Sequence, residues 1–101
     1  MTFERIMGIC VTDDSEYDKY RAGMLPILKS FGGSFGYDFK VSEVLSSKTT
    51  GDINRVFTIE FPDEKTMHIF FSDPDYRAVQ HQHFNHSVSS KTIIAMHQIT
   101  D

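Results

Sequence analysis

The segment RVFTIEFPDEKTMHIFFSDPDY, residues 55–76, changes its apolar period halfway along, and that change decides the fold. Phe57, Ile59 and Phe61 alternate with Thr58 and Glu60, the pattern of a strand with one covered face. Pro62 and Asp63 stop the strand and start a helix whose apolar stripe is Met67, Phe70 and Phe71. The SDPDY run then restarts the chain, with Asp73 as a cap and Pro74 at a first helical position, so a second helical piece is expected.

The N-terminal half repeats this logic. In TFERIMGICVT, Arg5, Met7, Ile9 and Val11 fall on one strand face, and Glu4, Ile6, Gly8 and Cys10 on the other. A helix follows, capped by Asp13 or Asp14, with Tyr17, Tyr20, Met24, Ile27, Leu28 and Phe31 recurring three and four residues apart. Pro26 removes one helical hydrogen bond and crowds Ala22, which predicts a kink near Ala22 or Gly23. Gly32 and Gly33 end the helix, because glycine takes the left-handed terminal conformation without a steric penalty.

Ser34–Leu45 reads as a second strand with Phe35, Tyr37, Phe39 and Val41 on one face, and the polar SSKTTGDIN as a turn or short loop. KTIIAMHQI closes the chain as a strand. The order is strand, helix, strand, strand, helix, strand. This is an α+β, ferredoxin-like βαββαβ sandwich with a four-stranded antiparallel sheet and both helices on one face, a single domain over residues 1–101. Ile6, Cys10, Val44 and Val56 are expected on the other face, and a second copy of the chain is its natural cover.

Bulk properties exclude several classes. Nine Phe and a 13% aromatic content supply a packed core and argue against disorder. With 101 residues the chain buries roughly two thirds of its unfolded surface, which leaves apolar area for a partner. The net charge is −4 and no basic run exists, so no nucleic acid is expected as a partner. No stretch is long enough to span a membrane, MTFERIMGICV lacks the cationic region and cleavage site of a signal peptide, and Cys10 is alone. A cytoplasmic location is expected.

Two blocks carry a family resemblance: Tyr17-x-x-Tyr20 leading through Pro26 to Phe31-Gly32-Gly33-x-Phe35, and Val56-Phe57-Thr58-Ile59-Glu60-Phe61-Pro62-Asp63 leading to Phe71-Ser72-Asp73-Pro74-Asp75-Tyr76. Their order and spacing resemble domain-of-unknown-function family 1330, over nearly the whole chain. The resemblance implies a dimeric α/β barrel, with two ferredoxin-like sheets packed together and the helices outside. It implies no common reaction.

HQHFNH, residues 81–86, gathers three of the five histidines. In a helix, His83 lies about 20° and His86 about 80° from Tyr76 around the axis, while His81 is about 140° away. In a strand, His81 and His83 share a face and His86 opposes them. Neither conformation brings all three to one ion, and no metal or cofactor is expected. A single imidazole, His83 or His86, remains open as a haem or metal ligand.

His97, in line with Ile93, Ala95 and Ile99, is the candidate acid/base group, with Tyr37 or Glu60 beside it, for a cofactor-independent isomerase or monooxygenase. Tyr17, Tyr20, Phe35, Phe57, Phe70 and Tyr76 are the candidate walls of a helix–sheet cavity for a small apolar or aromatic molecule. The remaining alternative is a structural dimer whose Phe side chains fill that space. FGGSFG leaves a helix for a strand, the reverse of a phosphate-binding loop.

Overall fold

The computed structural model describes residues 2–100. Its elements are β1 (Thr2–Val11), α1 (Asp14–Ser30), β2 (Ser34–Lys40), β3 (Arg55–Phe61), α2 (Glu64–Ser72), α3 (Pro74–Val79) and β4 (Val88–Ile99). Between α3 and β4, Gln80–Phe84 forms a π-helical turn and Asn85–Ser87 one further α turn. The strands make one antiparallel sheet in the order β2-β3-β1-β4, with the helices on one face, which is the ferredoxin-like fold. No helix of the described residues is long and apolar enough to cross a membrane.

Three aspartates start the three helices. The backbone N–H groups of Glu16, Thr66 and Tyr76 donate to Asp13, Asp63 and Asp73 at 3.0, 2.7 and 3.0 Å. Each such cap contributes about 1 kcal/mol. α1 runs unbroken through Pro26 from Asp14 to Ser30. Gly32 follows it with φ at 77°, where a side chain would be strained.

The core lies between the sheet and the helices. Phe3, Met7, Ile9, Ile59 and Phe61 meet Tyr17, Met24, Leu28, Met67 and Phe70, all nearly inaccessible to solvent. In an antiparallel ladder, directly paired residues share a face. Arg5 pairs with Ile59 and Met7 with Phe57, so Arg5 belongs to the helix-covered face. Glu4, Ile6 and Gly8 pair with Glu60, Thr58 and Val56 on the open face.

Register shifts in both edge strands, one in β2 and two in β4, correct the strict alternation expected for them. In β2, Phe35 opposes Ile59 and Asp38 opposes Phe57, so Gly36 and Tyr37 together oppose Thr58. The Tyr37 N–H donates to Thr58 Oγ1 at 2.7 Å, and a Cβ on Gly36 would collide with Glu60 Oε2 and Thr58 Oγ1. This bulge separates Phe35, which faces the helices, from Tyr37 and Phe39, which stack on the open face and are 66% and 56% exposed. Asp38 takes the inward place. In β4, Ala95 opposes Ile6 and Ile93 opposes Met7, leaving Ile94 as the extra residue. Ala95 and His97 therefore keep to the open face while Ile93 and Lys91 turn to the helix side.

β2 ends at Lys40 instead of reaching Leu45, and residues 41–54 form a long loop that includes Val44. The loop is tied down by the Asn54 side chain, which accepts from the Val11 N–H and donates to the Val11 carbonyl, both at 2.8 Å. Its Ser90 anchor, Oγ to the Asp52 carbonyl at 2.9 Å, carries it across the sheet to β4. β4 starts at Val88, three residues earlier than the expected Lys91.

Candidate functional site

A cavity of about 300 Å³ opens between the helix-covered face of the sheet and α1, α3 and the π turn. Its floor is Met7 and Ile9 of β1 with Phe57 and Ile59 of β3, the inward residues of the two central strands. Its walls come from Tyr20 and Met24 of α1, Phe35 of β2, Tyr76 of α3, and Phe71 and Phe84. The size is at the lower end of the range for small-molecule sites.

Of the six side chains expected to wall such a cavity, Tyr20, Phe35, Phe57 and Tyr76 do so. Tyr17 and Phe70 are fully buried and lie behind the wall. Tyr17 Oη accepts from Arg21 Nε at 2.8 Å, and Phe70 packs edge-on against Phe31 and Phe71 and supports the Tyr76 ring at 4.4 Å. Their chemistry is structural support for the wall.

The acid/base candidates stand elsewhere. His97, Glu60 and Tyr37 all sit on the open face, so the sheet itself separates them from the cavity. His97 does not border the cavity: its side chain is 44% exposed, with Nε2 3.0 Å from Glu4 Oε1. Pairing places Glu60, Glu4 and His97 in a row across β3, β1 and β4. Ile93, expected in line with His97, is turned to the other face by the β4 bulge.

The histidine-rich segment follows neither regular geometry considered for it. Its π turn carries His81 and His83, and His83 Nδ1 lies 2.5 Å from Glu16 Oε1 on α1, a carboxylate 67 residues away in sequence. This contact, above all, holds Glu16 below the usual carboxylate range. His86 is exposed, and neither His83 nor His86 borders the cavity. Among the described residues no group of three His, Cys, Asp or Glu side chains converges as metal ligands would.

Sequence patterns missed the cationic side of the site. Arg5, Arg21, Arg77 and Lys91 border the cavity, and no carboxylate or imidazole does among the described residues. Arg21 lies over the Phe35 and Phe57 rings at 3.9 and 4.8 Å, and its Nη1 reaches Asp38 at 3.3 Å. Asp38 also accepts two bonds from Arg55, at 2.8 and 3.0 Å. Arg5 stacks over Phe71 at 4.4 Å, and burial pushes its guanidinium down from its ordinary value. Arg5 Nε and Arg21 Nη2 are shut off from water and have no hydrogen-bond partner among the described residues. An arginine on the Arg5, Met7, Ile9, Val11 face was the readable signal, since a cation on an otherwise apolar strand face needs an explanation.

The tyrosine hydroxyls stay neutral. Burial is the main cause that raises Tyr20 well above the phenol range and raises Tyr76 and Tyr17 as well. Tyr20 and Tyr76 hydrogen-bond to each other at 2.9 Å.

Asp38 yields a pH prediction. The Arg55 hydrogen bond, the largest cause, holds its carboxyl below the ordinary value. A depressed folded-state pKa adds stability above the unfolded value of about 4, and this is lost as pH falls through the folded one. Asp38→Asn is therefore expected to lower stability by about 1 kcal/mol at pH 7, after screening at a partly exposed site, and by progressively less below about pH 4. Thermal melts from pH 7 to 2.5 measure it; a constant difference across that range would refute the pairing.

Comparison with known proteins agrees with this fold. A Rhodopseudomonas palustris protein of unknown function superposes with a TM-score of 0.81 at 15% identity, covering 99% of this chain and 83% of that one. A dabb family protein with a ferredoxin-like fold from Mesorhizobium loti gives 0.66 at 17% identity, covering 99% and 98%. A dimeric ferredoxin-like protein of unknown function from Thermobifida fusca gives 0.62 at 11%, covering 98% and 92%. At these identities the likeness is one of fold. No curated protein matches the chain. The sequence model of one family, described as a domain of unknown function, matches residues 5–97, and the chain belongs to that family, DUF1330.

Proposed function

We propose that the protein works as a homodimer, joined through the open sheet faces, in which each subunit binds a small apolar or aromatic molecule in its helix–sheet cavity. The observation that carries the binding site is that about 300 Å³ stays open inside the aromatic layer. A core that served packing alone would close around such a space, because interiors pack like organic crystals and empty volume is destabilising.

The cavity offers cations and hydroxyl donors, and its described lining has no side-chain base suited to abstracting a proton at neutral pH. Binding is therefore favoured over isomerase or oxygenase chemistry by His97. Self-association is supported by the stacked Tyr37 and Phe39 and by Ile94 on the open face, and by the Thermobifida fusca and Bacteroides fragilis neighbours of this fold, both described as dimeric. Cys10, half-buried and free, fits a reducing cytoplasm.

Indole, a neutral aromatic probe, tests the site. Titrated into labelled protein, it is expected to shift the amide resonances of Tyr20, Phe57 and Tyr76 with a dissociation constant of about 1 mM or tighter. Unperturbed resonances at millimolar indole would reject the cavity as a site for neutral aromatic molecules.

A further inference from the structure

We propose that the ligand of this cavity is a small aromatic monocarboxylate, its carboxylate taken by Arg5 with a hydroxyl of the Tyr20–Tyr76 pair and its ring lying on Phe35 and Phe57. The inference rests on the proposed ligand-binding reading and assigns the chemistry of the ligand.

The first support is a charge that nothing in the described chain answers. Arg77 and Lys91 are exposed at the cavity margin, where water solvates them. Arg21 reaches one carboxylate, Asp38, which it shares with Arg55. Arg5 sits on a central strand, stacked on Phe71 and only partly accessible, and no described carboxylate forms an ion pair with it. A partly buried guanidinium without an anion is unfavourable, and the planar fork is shaped to take a carboxylate.

The second support is a hydrogen count. Two phenols share one hydrogen in their mutual bond at 2.9 Å, so one O–H remains to be donated, and no other acceptor takes it among the described residues. Burial keeps both phenols protonated, so the site presents a donor beside a cation. An ionised carboxylate, which only accepts, satisfies both. A neutral ring would leave Arg5 unanswered. The flat two-oxygen face of a carboxylate suits one guanidinium fork and one phenol donor, while Arg77 and Lys91 at the margin draw anions inward.

Calorimetric titration of the full chain with 2-naphthoate, its neutral isostere 2-naphthamide and 2-naphthyl phosphate tests this. The carboxylate is expected to bind at least about 10-fold more tightly than the amide and more tightly than the phosphate. Arg5→Met should collapse the carboxylate-to-amide ratio to about 1, Arg5→Lys should reduce it several-fold, and Tyr76→Phe should weaken the carboxylate by about 3- to 10-fold. Should Arg5→Met not fold, the lysine and phenylalanine variants decide. Equal binding of carboxylate and amide, or a preference that survives these substitutions, overturns the carboxylate site while indole binding leaves the cavity reading standing. A tighter phosphate overturns the monocarboxylate class. If neither indole nor any naphthyl compound binds, both readings fall.

Discussion

Phe70→Ala is expected to lower stability by about 3–5 kcal/mol and the melting temperature by about 15–30 °C. Phe70 is 0% exposed and touches four aromatic rings, those of Phe31, Phe61, Phe71 and Tyr76, at 4.4 to 5.8 Å between centroids. Truncation removes the transfer free energy of a whole ring and leaves a void among four rigid rings, so collapse recovers little. The same ring backs Tyr76, and its loss should loosen one wall of the cavity. Phe70→Leu keeps most of the volume and should cost less than half as much. Differential scanning calorimetry distinguishes the outcomes. A drop under about 5 °C for the alanine variant would mean that Phe70 is not the keystone of the layer between helices and sheet.

Ile94→Asp is expected to dissociate the proposed homodimer, raising its dissociation constant by more than about 1,000-fold, while the subunit stays folded. Ile94 is the extra residue of the β4 bulge, lies on the open face beside Gly8 and is 50% exposed in the single chain. In the subunit an aspartate there can face water, so stability should fall by less than about 1 kcal/mol. In a twofold interface the substitution enters twice, and each unpaired carboxylate would be stripped of water against the partner's sheet face. Sedimentation equilibrium of the wild type and the variant reads the result. A wild-type dimer that persists with Ile94→Asp would place the interface elsewhere, and a wild-type monomer would remove the dimer from the functional reading.

The open face also shows how the candidate site divided. His97, Glu60 and Tyr37 are polar groups on strands, and the structure brings them to one face. It is the face away from the cavity. Tyr20, Phe35 and Phe57 lie on apolar helix or strand faces and Tyr76 in the helical restart after Pro74, and all four border the cavity, because an apolar face and a cavity wall obey the same periodicity. Tyr17 and Phe70 obey it too, yet sit one layer deeper. Period alone ranks residues by direction and says nothing of depth.

What the sequence determined by itself is local and periodic: the capping aspartates Asp13, Asp63 and Asp73, the glycine stop after α1, and the switch from period two to period three-and-four that orders the elements. These follow from hydrogen bonds and steric limits within a few residues. Only the tertiary structure decided the bulges at Gly36–Tyr37 and Ile94, the 2.5 Å approach of Glu16 to His83, and the absence of a described anion beside Arg5. Each depends on the register between strands or on contacts between residues far apart in the chain. One extra residue in an edge strand reverses every side chain beyond it, and that reversal turns Asp38 and Lys91 toward the cavity side of the sheet.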